Sequence, residues 1–401
     1  MTSTSGRSGY TRRRLLQRSQ IDMSRLLDRF VLAVTAILGV AYLYVAWRLT
    51  VTPIARVLLA VPFLLVWIVP VVYWGGAKDR HGRIDHAVHY ASYVSMGWLS
   101  FLLILTLARD ALLLGARTLH AFTDFPVSSA DPGVSLVLAG SFAALGAGMI
   151  AAYRGPHIRH VDIPVDGLPP ALHEFRIVQI SDLHVGLTIR GRYVQRVVDM
   201  TKALAPDLIA LTGDMVDGSV AQLARDVQAL AELPAAAPTY CVLGNHEYYS
   251  GAAPWIAHFR AMGLTVLMNT RVMMNRDGAR LMVAGVTDPA ALYHDPQRPP
   301  RPDLAAGHEA ADFRLLLAHH PKLAPAAREA RFDLQLSGHT HAGQFFPWTL
   351  AVRLVHAPHV AGLSREGRMW VYVSAGTGTW GPPVRFGTRP ELTVLRLVHA
   401  D

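Results

Sequence analysis

The chain has 401 residues, which is long enough for more than one domain of ~100–200 residues. Its mean hydropathy of +0.26 is high for a soluble enzyme, and its formal net charge is +9. The single cysteine, Cys241, excludes an intramolecular disulfide and a cysteine-based zinc site. It lies in a strand-like segment, so we expect it to be a small core residue.

The basic excess is concentrated in an N-terminal arm, residues 1–29. The arginines of this arm are Arg7, Arg12, Arg13, Arg14, Arg18, Arg25 and Arg29. A basic tail is compatible with nucleic-acid binding. This one precedes an apolar stretch, so it predicts a cytoplasmic flank that fixes topology and contacts anionic lipid. We expect the lipid bilayer as a partner and no nucleic acid, and no feature indicates an obligate protein partner.

Four apolar stretches dominate residues 30–153, and a helix needs about 20 residues to cross a bilayer. They are residues 30–47, 54–74, 90–114 and 134–153. Arg109 and Asp110 lie near the end of the third stretch, where they can set its boundary. We therefore predict four transmembrane helices in a multi-pass protein of the cell membrane.

The orientation follows from the positions of lysine and arginine. Besides the arm, the predicted second loop carries Lys78, Arg80 and Arg83. Positive loops stay in the cytoplasm, and an even number of spans returns the chain there, so the second half is predicted to be cytoplasmic. Export is the alternative, because residues 11–17 resemble a twin-arginine signal. Two features argue against export. Charged residues separate this segment from the first apolar stretch, and no small-residue cleavage site follows.

From residue 157 to 401, short apolar runs alternate with helical patterns. The strand-like runs are residues 175–180, 208–211, 239–243, 281–286, 314–317, 334–336, 370–373 and 392–397, and residues 193–204 and 220–233 have helical spacing. This alternation predicts an α/β fold. In such sheets, ligands bind beyond the carboxyl ends of the strands.

Five polar blocks follow these runs, and nearly all of their potential metal ligands are oxygen or imidazole donors. The donors include Asp182, His184, Asp214, Asn245, His319, His339 and His341. Such donors suit Mn, Fe, Zn, Co or Ni better than Ca. An aspartate before a turn is usually a turn residue, so each block alone is ambiguous. Their common position after strands predicts a site for two metal ions and hydrolysis of a phosphate ester.

The pattern D-x-H, G-D-x-x-D, G-N-H-E, H and G-H-x-H resembles that of calcineurin-like metallophosphoesterases, and membrane-tethered bacterial members in particular. The resemblance covers residues 157–401 and implies a four-layer αββα sandwich of two mixed sheets (α/β, or α+β, in class). The first metal would be held by Asp182, His184, Asp214 and His341, and the second by Asp214, Asn245, His319 and His339. Both sites would hold divalent ions, and manganese is the favoured metal. His246 would be a catalytic histidine that binds no metal, oriented by Asp217.

Two further residues are weaker candidates for substrate binding. The family's H-x-P pattern selects His319 as the ligand, which leaves His320 to face the substrate or support the ligands. Arg385 ends a glycine-rich segment and is expected to pair either with phosphate or with a carboxylate of the fold.

The predicted activity is that of a phosphodiesterase or pyrophosphatase. Its substrate is expected to be lipid-linked, which would explain the membrane spans. A soluble nucleotide or a phosphoprotein is the alternative substrate. A catalytically silent membrane sensor or scaffold is a third possibility, against which the complete set of ligands argues.

Overall fold

The computed structural model describes residues 29–50, 52–68, 82–123 and 133–400. The chain forms two compact units, the first ending at Leu138 and the second beginning at Ala139. Most of the basic arm, the end of the second predicted span (residues 69–74) and parts of the second and third predicted loops (residues 75–81 and 124–132) lie outside the described residues.

Each predicted apolar stretch lies at least partly on a helix. These helices are α1 (Arg29–Leu49), α2 (Pro53–Ile68), α3 (Arg83–Phe122) and α4 (Gly133–Tyr153). By length and composition, α1, α3 and α4 can cross a membrane. Within the described residues, α2 is a shorter apolar helix. The apolar helices therefore precede the mixed α/β part of the chain, as the sequence predicts.

Helix α3 continues through Arg109 and Asp110, so neither residue ends the helix, and the span boundary expected there stays a prediction. Its 40 residues correspond to about 60 Å. Two nitrogens of Arg48 donate to the Asp110 carboxylate, each at 2.6 Å, and the Tyr44 hydroxyl donates to it at 2.7 Å. A carboxylate paired in this way can remain inside an apolar helix, so it need not end one.

The strands of residues 139–400 are numbered in chain order. They are β1 (His157–Val165), β2 (Arg176–Ile180), β3 (Leu208–Thr212), β4 (Thr239–Val242), β5 (Thr265–Val266), β6 (Thr270–Arg276), β7 (Ala279–Gly285), β8 (Phe313–Leu317), β9 (Leu334–Ser337), β10 (Gly362–Glu366), β11 (Met369–Val373) and β12 (Glu391–His399). The helices after α4 are α5 (Gly191–Ala203), α6 (Val220–Val227), α7 (Asn245–Ser250), α8 (Ala252–Ala261), α9 (Ala291–His294), α10 (Pro302–Ala306), α11 (Ala324–Glu329) and α12 (Trp348–His356).

The strands form two mixed six-stranded sheets. The first sheet has the order β1-β12-β2-β3-β4-β5, and the second has the order β10-β11-β9-β8-β7-β6. In the first sheet β2, β3, β4 and β5 run parallel, and in the second β7, β8, β9 and β11 do so. Both sheets therefore present several carboxyl strand ends at one edge.

Alternating side chains divide the core into layers. In β3, Leu208 and Ala210 pack between the two sheets, whereas Ile209 and Leu211 face the helices of the first sheet. In β8, Leu315 and Leu317 point to the central layer and Leu316 to the outer one, beside alanines of α10 and α11. This period of two places a helical layer outside each sheet. The predicted four-layer αββα sandwich is thus confirmed.

The central layer makes Gly285 sensitive to enlargement. A Cβ there would lie 2.5 Å from Leu267 Cβ and 2.6 Å from Val242 Cγ1. We expect Gly285→Ala to destabilise the protein by about 1–3 kcal/mol through overpacking, measured as thermal unfolding in detergent. Gly146→Ala is the control, because nothing lies within 4 Å of its Cβ position. Equal unfolding temperatures of the two variants would contradict this account of the packing.

Candidate metal centre

The five blocks meet at the carboxyl ends of strands from both sheets. Asp182 and His184 follow β2, Asp214 follows β3, and Asn245 begins α7 after β4. His319 follows β8, whereas His339 and His341 follow β9. Because these strands are parallel within their sheets, the donors converge on one rim of the sandwich, as the sequence predicts.

One group of donors contains Asp182, His184 and His341, which are all buried and offer ligand atoms within 4.8 Å of one another. His184 Nε2 lies 2.9 Å from His341 Nε2, and His341 Nε2 lies 3.4 Å from Asp182 Oδ1. The other oxygen of Asp182 accepts a hydrogen bond from Ser181 Oγ at 2.6 Å. These contacts are compatible with the predicted first metal position.

A second group contains Asp214, His319 and His339. His319 Nε2 lies 3.1 Å from Asp214 Oδ2, and the amide oxygen of Asn245 lies 3.0 Å from His339 Nδ1. The same Asp214 oxygen lies 3.8 Å from His184 Nε2 of the first group. One carboxylate oxygen of Asp214 thus faces both groups, as a bridging ligand must.

Backbone strain is concentrated at these positions. The non-glycine residues with left-handed φ angles include Asp182 (53°), His184 (50°), Asp214 (53°), His339 (72°) and His341 (50°). This region costs about 1–3 kcal/mol for a non-glycine residue, and such strain is characteristic of functional sites. Two glycines permit the close approach of chains, because a Cβ at Gly338 or Gly244 would collide with a carboxylate oxygen of Asp182 or Asp214.

The hydrogen bonds of two histidines test whether the site fits a cation. His319 Nδ1 lies 2.9 Å from the carbonyl oxygen of Thr212, and His184 Nδ1 lies 2.7 Å from Asp217 Oδ1. Both Nδ1 atoms must donate there, so in the neutral rings each Nε2 carries a lone pair. At His319, that lone pair points at a carboxylate oxygen and has no hydrogen-bond partner. A cation between the two atoms would remove this conflict, so the residues fit metal ions.

The pKa shifts agree with this interpretation. Burial lowers the pKa of His319, but the neighbouring carboxylates of Asp214 and Asp182 raise it well above the ordinary histidine value. The pocket therefore favours a positive charge here, whether a proton or a metal ion supplies it. Burial lowers the pKa of His339 and His341. These rings stay neutral, which is the state that binds metal.

His246 lies beside the first group with its ring fixed by a carboxylate. Its Nδ1 is 2.7 Å from Asp217 Oδ1, the oxygen that also accepts from His184. Burial lowers the pKa of His246, but the charges of Asp214 and Asp217 raise it to about 9. A cation bound to Asp214 would cancel much of the rise in the pKa of His246 that Asp214 causes, whereas the rise caused by Asp217 would persist.

Glu247 belongs to the same block, but the sequence analysis gave it no role. Its buried carboxylate accepts four backbone N–H groups, from Gly244 (2.7 Å), Asp214 (3.0 Å), Met215 (2.6 Å) and Val216 (3.2 Å). Burial and the charge of Asp214 raise the pKa of Glu247 to about 7. The side chain holds the loops after β3 and β4 together. Its place three residues after the N-cap Gly244 is the sequence signal of such a role.

Asp288 is a second buried acid that the sequence analysis did not select. It follows β7, and burial raises its pKa to about 6. One carboxylate oxygen accepts from the Ala290 N–H at 2.8 Å, and the other has no hydrogen-bond partner. Its position after a strand is the signal that could have found it.

The structure places the two weaker candidates differently. The His320 ring stacks on His339 at 4.2 Å, and burial, with the charge of His319, lowers its pKa to about 3. Arg385 is fully buried and forms no ion pair with a carboxylate among the described residues, although Asp182 and Glu391 partly offset the lowering of its pKa by burial. It donates to the carbonyl oxygens of His341 (3.1 Å), Gly376 (3.3 Å) and Gly378 (2.6 Å). Its Nε has no hydrogen-bond partner among the described residues, so these carbonyls satisfy the guanidinium only in part. The contact with the His341 carbonyl can position that ligand, and a role in phosphate binding stays a prediction.

Comparison with known proteins gives the family. The pattern of the calcineurin-like phosphoesterase family matches residues 175–343. A Bos taurus protein named transmembrane protein with metallophosphoesterase domain is 36% identical over 265 residues, which are 63% of this chain and 60% of that protein. An uncharacterized metallophosphoesterase of Helicobacter pylori is 32% identical over 61% of this chain and 64% of its own length. One of Aquifex aeolicus is 32% identical over 56% of this chain and 85% of its own length.

Two donor groups that share one carboxylate are typical of enzymes that use a pair of divalent ions. The chain belongs to the calcineurin-like phosphoesterase family, and this family implies metal-dependent hydrolysis of phosphate esters with two divalent metals. The chain spans about 60% of the length of the Bos taurus relative. Because its relatives come from both animals and bacteria, the expected bacterial affiliation stays a prediction.

The four hydrogen bonds to Glu247 lead to a prediction. Glu247→Gln replaces an acceptor oxygen with an NH₂ group that faces backbone donors. We expect a loss of about 1–3 kcal/mol in unfolding free energy and weaker metal retention, measured by denaturation in chelator and by metal analysis. Glu232→Gln is the control, because Glu232 pairs with Lys202 at the surface and its loss should change neither quantity. If the two variants behaved alike, Glu247 would not organise the site.

Proposed function

We propose that this protein is a membrane-anchored phosphodiesterase or pyrophosphatase with a dinuclear metal centre. The observation that carries the proposal is the position of Asp214, whose Oδ2 faces His184 at 3.8 Å and His319 at 3.1 Å. The predicted domains, with a transmembrane region over 30–153 and a phosphoesterase domain over 157–401, are part of the proposal.

The ligand sets follow the two groups. The first ion would be held by Asp182, His184, Asp214 and His341, and the second by Asp214, Asn245, His319 and His339. Bound divalent ions supply a water of lowered pKa and neutralise charge on the phosphate. Manganese is favoured, and Fe, Zn, Co and Ni suit the same donors. Burial of Asp182, His184, Asp214, His319 and His341 fixes the positions of most of these side chains before substrate arrives.

His246 acts as the general acid. Asp217 holds its Nδ1, which directs Nε2 away from the carboxylate. The charge of Asp217 and its hydrogen bond raise the pKa of His246, which favours the protonated ring that can give a proton to the leaving oxygen. Asp217 fixes His184 with the same oxygen, and Arg385 positions His341 through its backbone. His320 borders the second ligand group through its stack on His339, where it can contact the substrate.

The substrate is a phosphate ester, and a lipid-linked one explains the membrane spans economically. A soluble nucleotide or phosphoprotein is the alternative, in which case the spans only localise the enzyme. A silent scaffold has no need of complete donor sets with strained backbones, so this structure favours an enzyme. We further propose that it is a multi-pass protein of the cell membrane with its catalytic domain in the cytoplasm, which the basic residues of the N-terminal arm and the second predicted loop support.

Two substitutions test the assignment on the full chain in detergent with Mn²⁺. Asp214→Asn removes the shared charge, so we expect at least a ~100-fold loss of bis-p-nitrophenyl phosphate hydrolysis and a lower metal content. His246→Ala should keep its metal and lose ~10²–10⁴-fold in kcat. Chelation of the wild-type protein should abolish turnover, and Mn²⁺ should restore it.

The two readouts separate the roles of these residues. Loss of metal from His246→Ala would show that His246 is a ligand and not the acid. Full activity of Asp214→Asn, or of the chelated protein, would refute the dinuclear mechanism. Arg260→Ala, at the end of α8, is a surface control that should change neither readout.

A fusion experiment tests the orientation. Alkaline phosphatase is active only after export, so a fusion after Tyr153 should be inactive if the catalytic domain is cytoplasmic. A fusion within the third predicted loop, residues 115–133, should be active and serves as the positive control. Activity of the fusion after Tyr153 would establish the exported orientation instead.

A further inference from the structure

Helix α12 is an apolar helix at the surface of the second unit. Six of its nine residues are apolar, and none of them is buried. Leu350, Leu354 and Val355 are 53%, 89% and 61% exposed. Isolated helices of this length are marginal in water, and most helices are stabilised by covering an apolar face. An exposed apolar surface of this kind marks an interaction site.

A second segment extends this surface. Phe346, just before α12, donates its N–H to the carbonyl oxygen of Phe386 at 2.9 Å. The Gln344 side chain donates to the carbonyl oxygens of Trp380 and Pro382, both at 2.9 Å. These bonds join the loop that carries Trp380 to the turn before α12, and the side chains of Phe346 and Trp380 are both exposed. We call the surface formed by Phe346, Leu350, Leu354, Val355 and Trp380 the apolar rim.

The apolar rim borders the metal centre. The Trp380 ring lies 5.9 Å from the ring of His246, and Tyr249 lies 5.5 Å from it on another side. At the end of α12, the His356 ring lies 5.4 Å from His339 and 5.6 Å from His320. A molecule held on the rim would therefore be next to the proposed acid and to the second ligand group.

The loop that carries Trp380 also contacts α4, which can cross a membrane by length and composition. Arg385 donates its N–H to the carbonyl oxygen of Gly148 at 2.9 Å, and a Cβ at Gly148 would lie 2.5 Å from Val384 Cγ1. Gly148 precedes the last residue of α4, Tyr153, by five residues, or about 7.5 Å along the helix. All of these residues belong to the second unit.

The distance between Gly148 and the end of α4 indicates that lipid covers the rim. Tyrosine at the end of a transmembrane helix lies at the level of the headgroups. Amphipathic surface helices bury their apolar face about 5–10 Å into the headgroup and acyl boundary. A segment packed one to two turns inside the end of α4 lies at that depth. Arg353, between the apolar residues of α12, is placed to meet anionic headgroups.

We propose that the apolar rim is seated in the bilayer that α4 crosses, so that the metal centre opens onto the headgroup layer. The substrate class is then an amphiphilic phosphodiester or pyrophosphate whose apolar part stays in the membrane while its phosphate reaches His246. The substrate class rests on the proposed function, whereas the seating of the rim does not.

Depth in the bilayer is measured on the full chain in nanodiscs of phosphatidylethanolamine and phosphatidylglycerol. Leu354→Cys is labelled with an environment-sensitive fluorophore, which Cys241 will not take up because it is buried. We expect a blue-shifted emission that is quenched by brominated acyl chains. Leu304→Cys is the matched control, since Leu304 is also exposed, at 56%. It lies on α10, which packs on β6 and β7. These strands lie at one edge of the second sheet, and β10 lies at the opposite edge. Its label should remain aqueous.

Kinetics in the same bilayers test the substrate class. We expect Leu354→Glu to lower kcat/KM for phosphatidyl-p-nitrophenol by on the order of tenfold, because a charge opposes seating of the rim. Hydrolysis of water-soluble bis-p-nitrophenyl phosphate should be unchanged. Leu304→Glu should change neither rate.

The outcomes distinguish the two proposals. An unquenched label at Leu354 overturns the seating of the rim, whichever substrates are hydrolysed; if the shielding then depends on protein concentration, the rim contacts a second copy instead. A quenched label with turnover of the soluble ester alone overturns the amphiphilic substrate class. A quenched label without turnover of either ester leaves the rim in place and overturns the proposed hydrolase.

Discussion

The metal centre depends on the burial of negative charge. Asp182 and Asp214 lie almost fully buried, at the convergence of strands from two sheets. Buried carboxylates are costly unless positive charge or hydrogen bonds compensate them. Four histidines and several backbone N–H groups surround these two residues. The histidine ring nitrogens carry lone pairs, so bound cations would complete the compensation. The left-handed backbone at five of the donors is the conformational cost of bringing them together.

Much of the site could be predicted from the order of the blocks, because a strand followed by a polar donor sends that donor to a sheet edge whichever sheet it joins. The α/β class followed from the same alternation, whereas the four-layer sandwich followed from the family resemblance, and all eight predicted strands lie on observed ones. The strands β1, β5, β6 and β10 had no clear apolar run, being short or exposed at sheet edges. Propensity does not identify strands that are held mainly by pairing with a neighbour.

Contacts between distant parts of the chain were the least predictable. Nothing near Asp110 in the sequence shows that Arg48 neutralises it. Arg385 follows a glycine-rich segment that suggests phosphate binding, yet its partners are the carbonyl groups of Gly376 and Gly378 in that segment and of the distant metal-ligand candidate His341. In each case the partner of a charge decided its role, and that partner is fixed by tertiary packing.

The Asp217 carboxylate oxygen accepts from both His184 and His246. A single anion therefore sets the electron richness of one imidazole and the acidity of another. These two properties cannot be adjusted separately: a replacement that makes His246 a stronger acid also makes His184 a poorer electron donor. Among relatives that differ at position 217, the two properties should consequently change together. A residue that speeds departure of the leaving alcohol should also weaken retention of the ion.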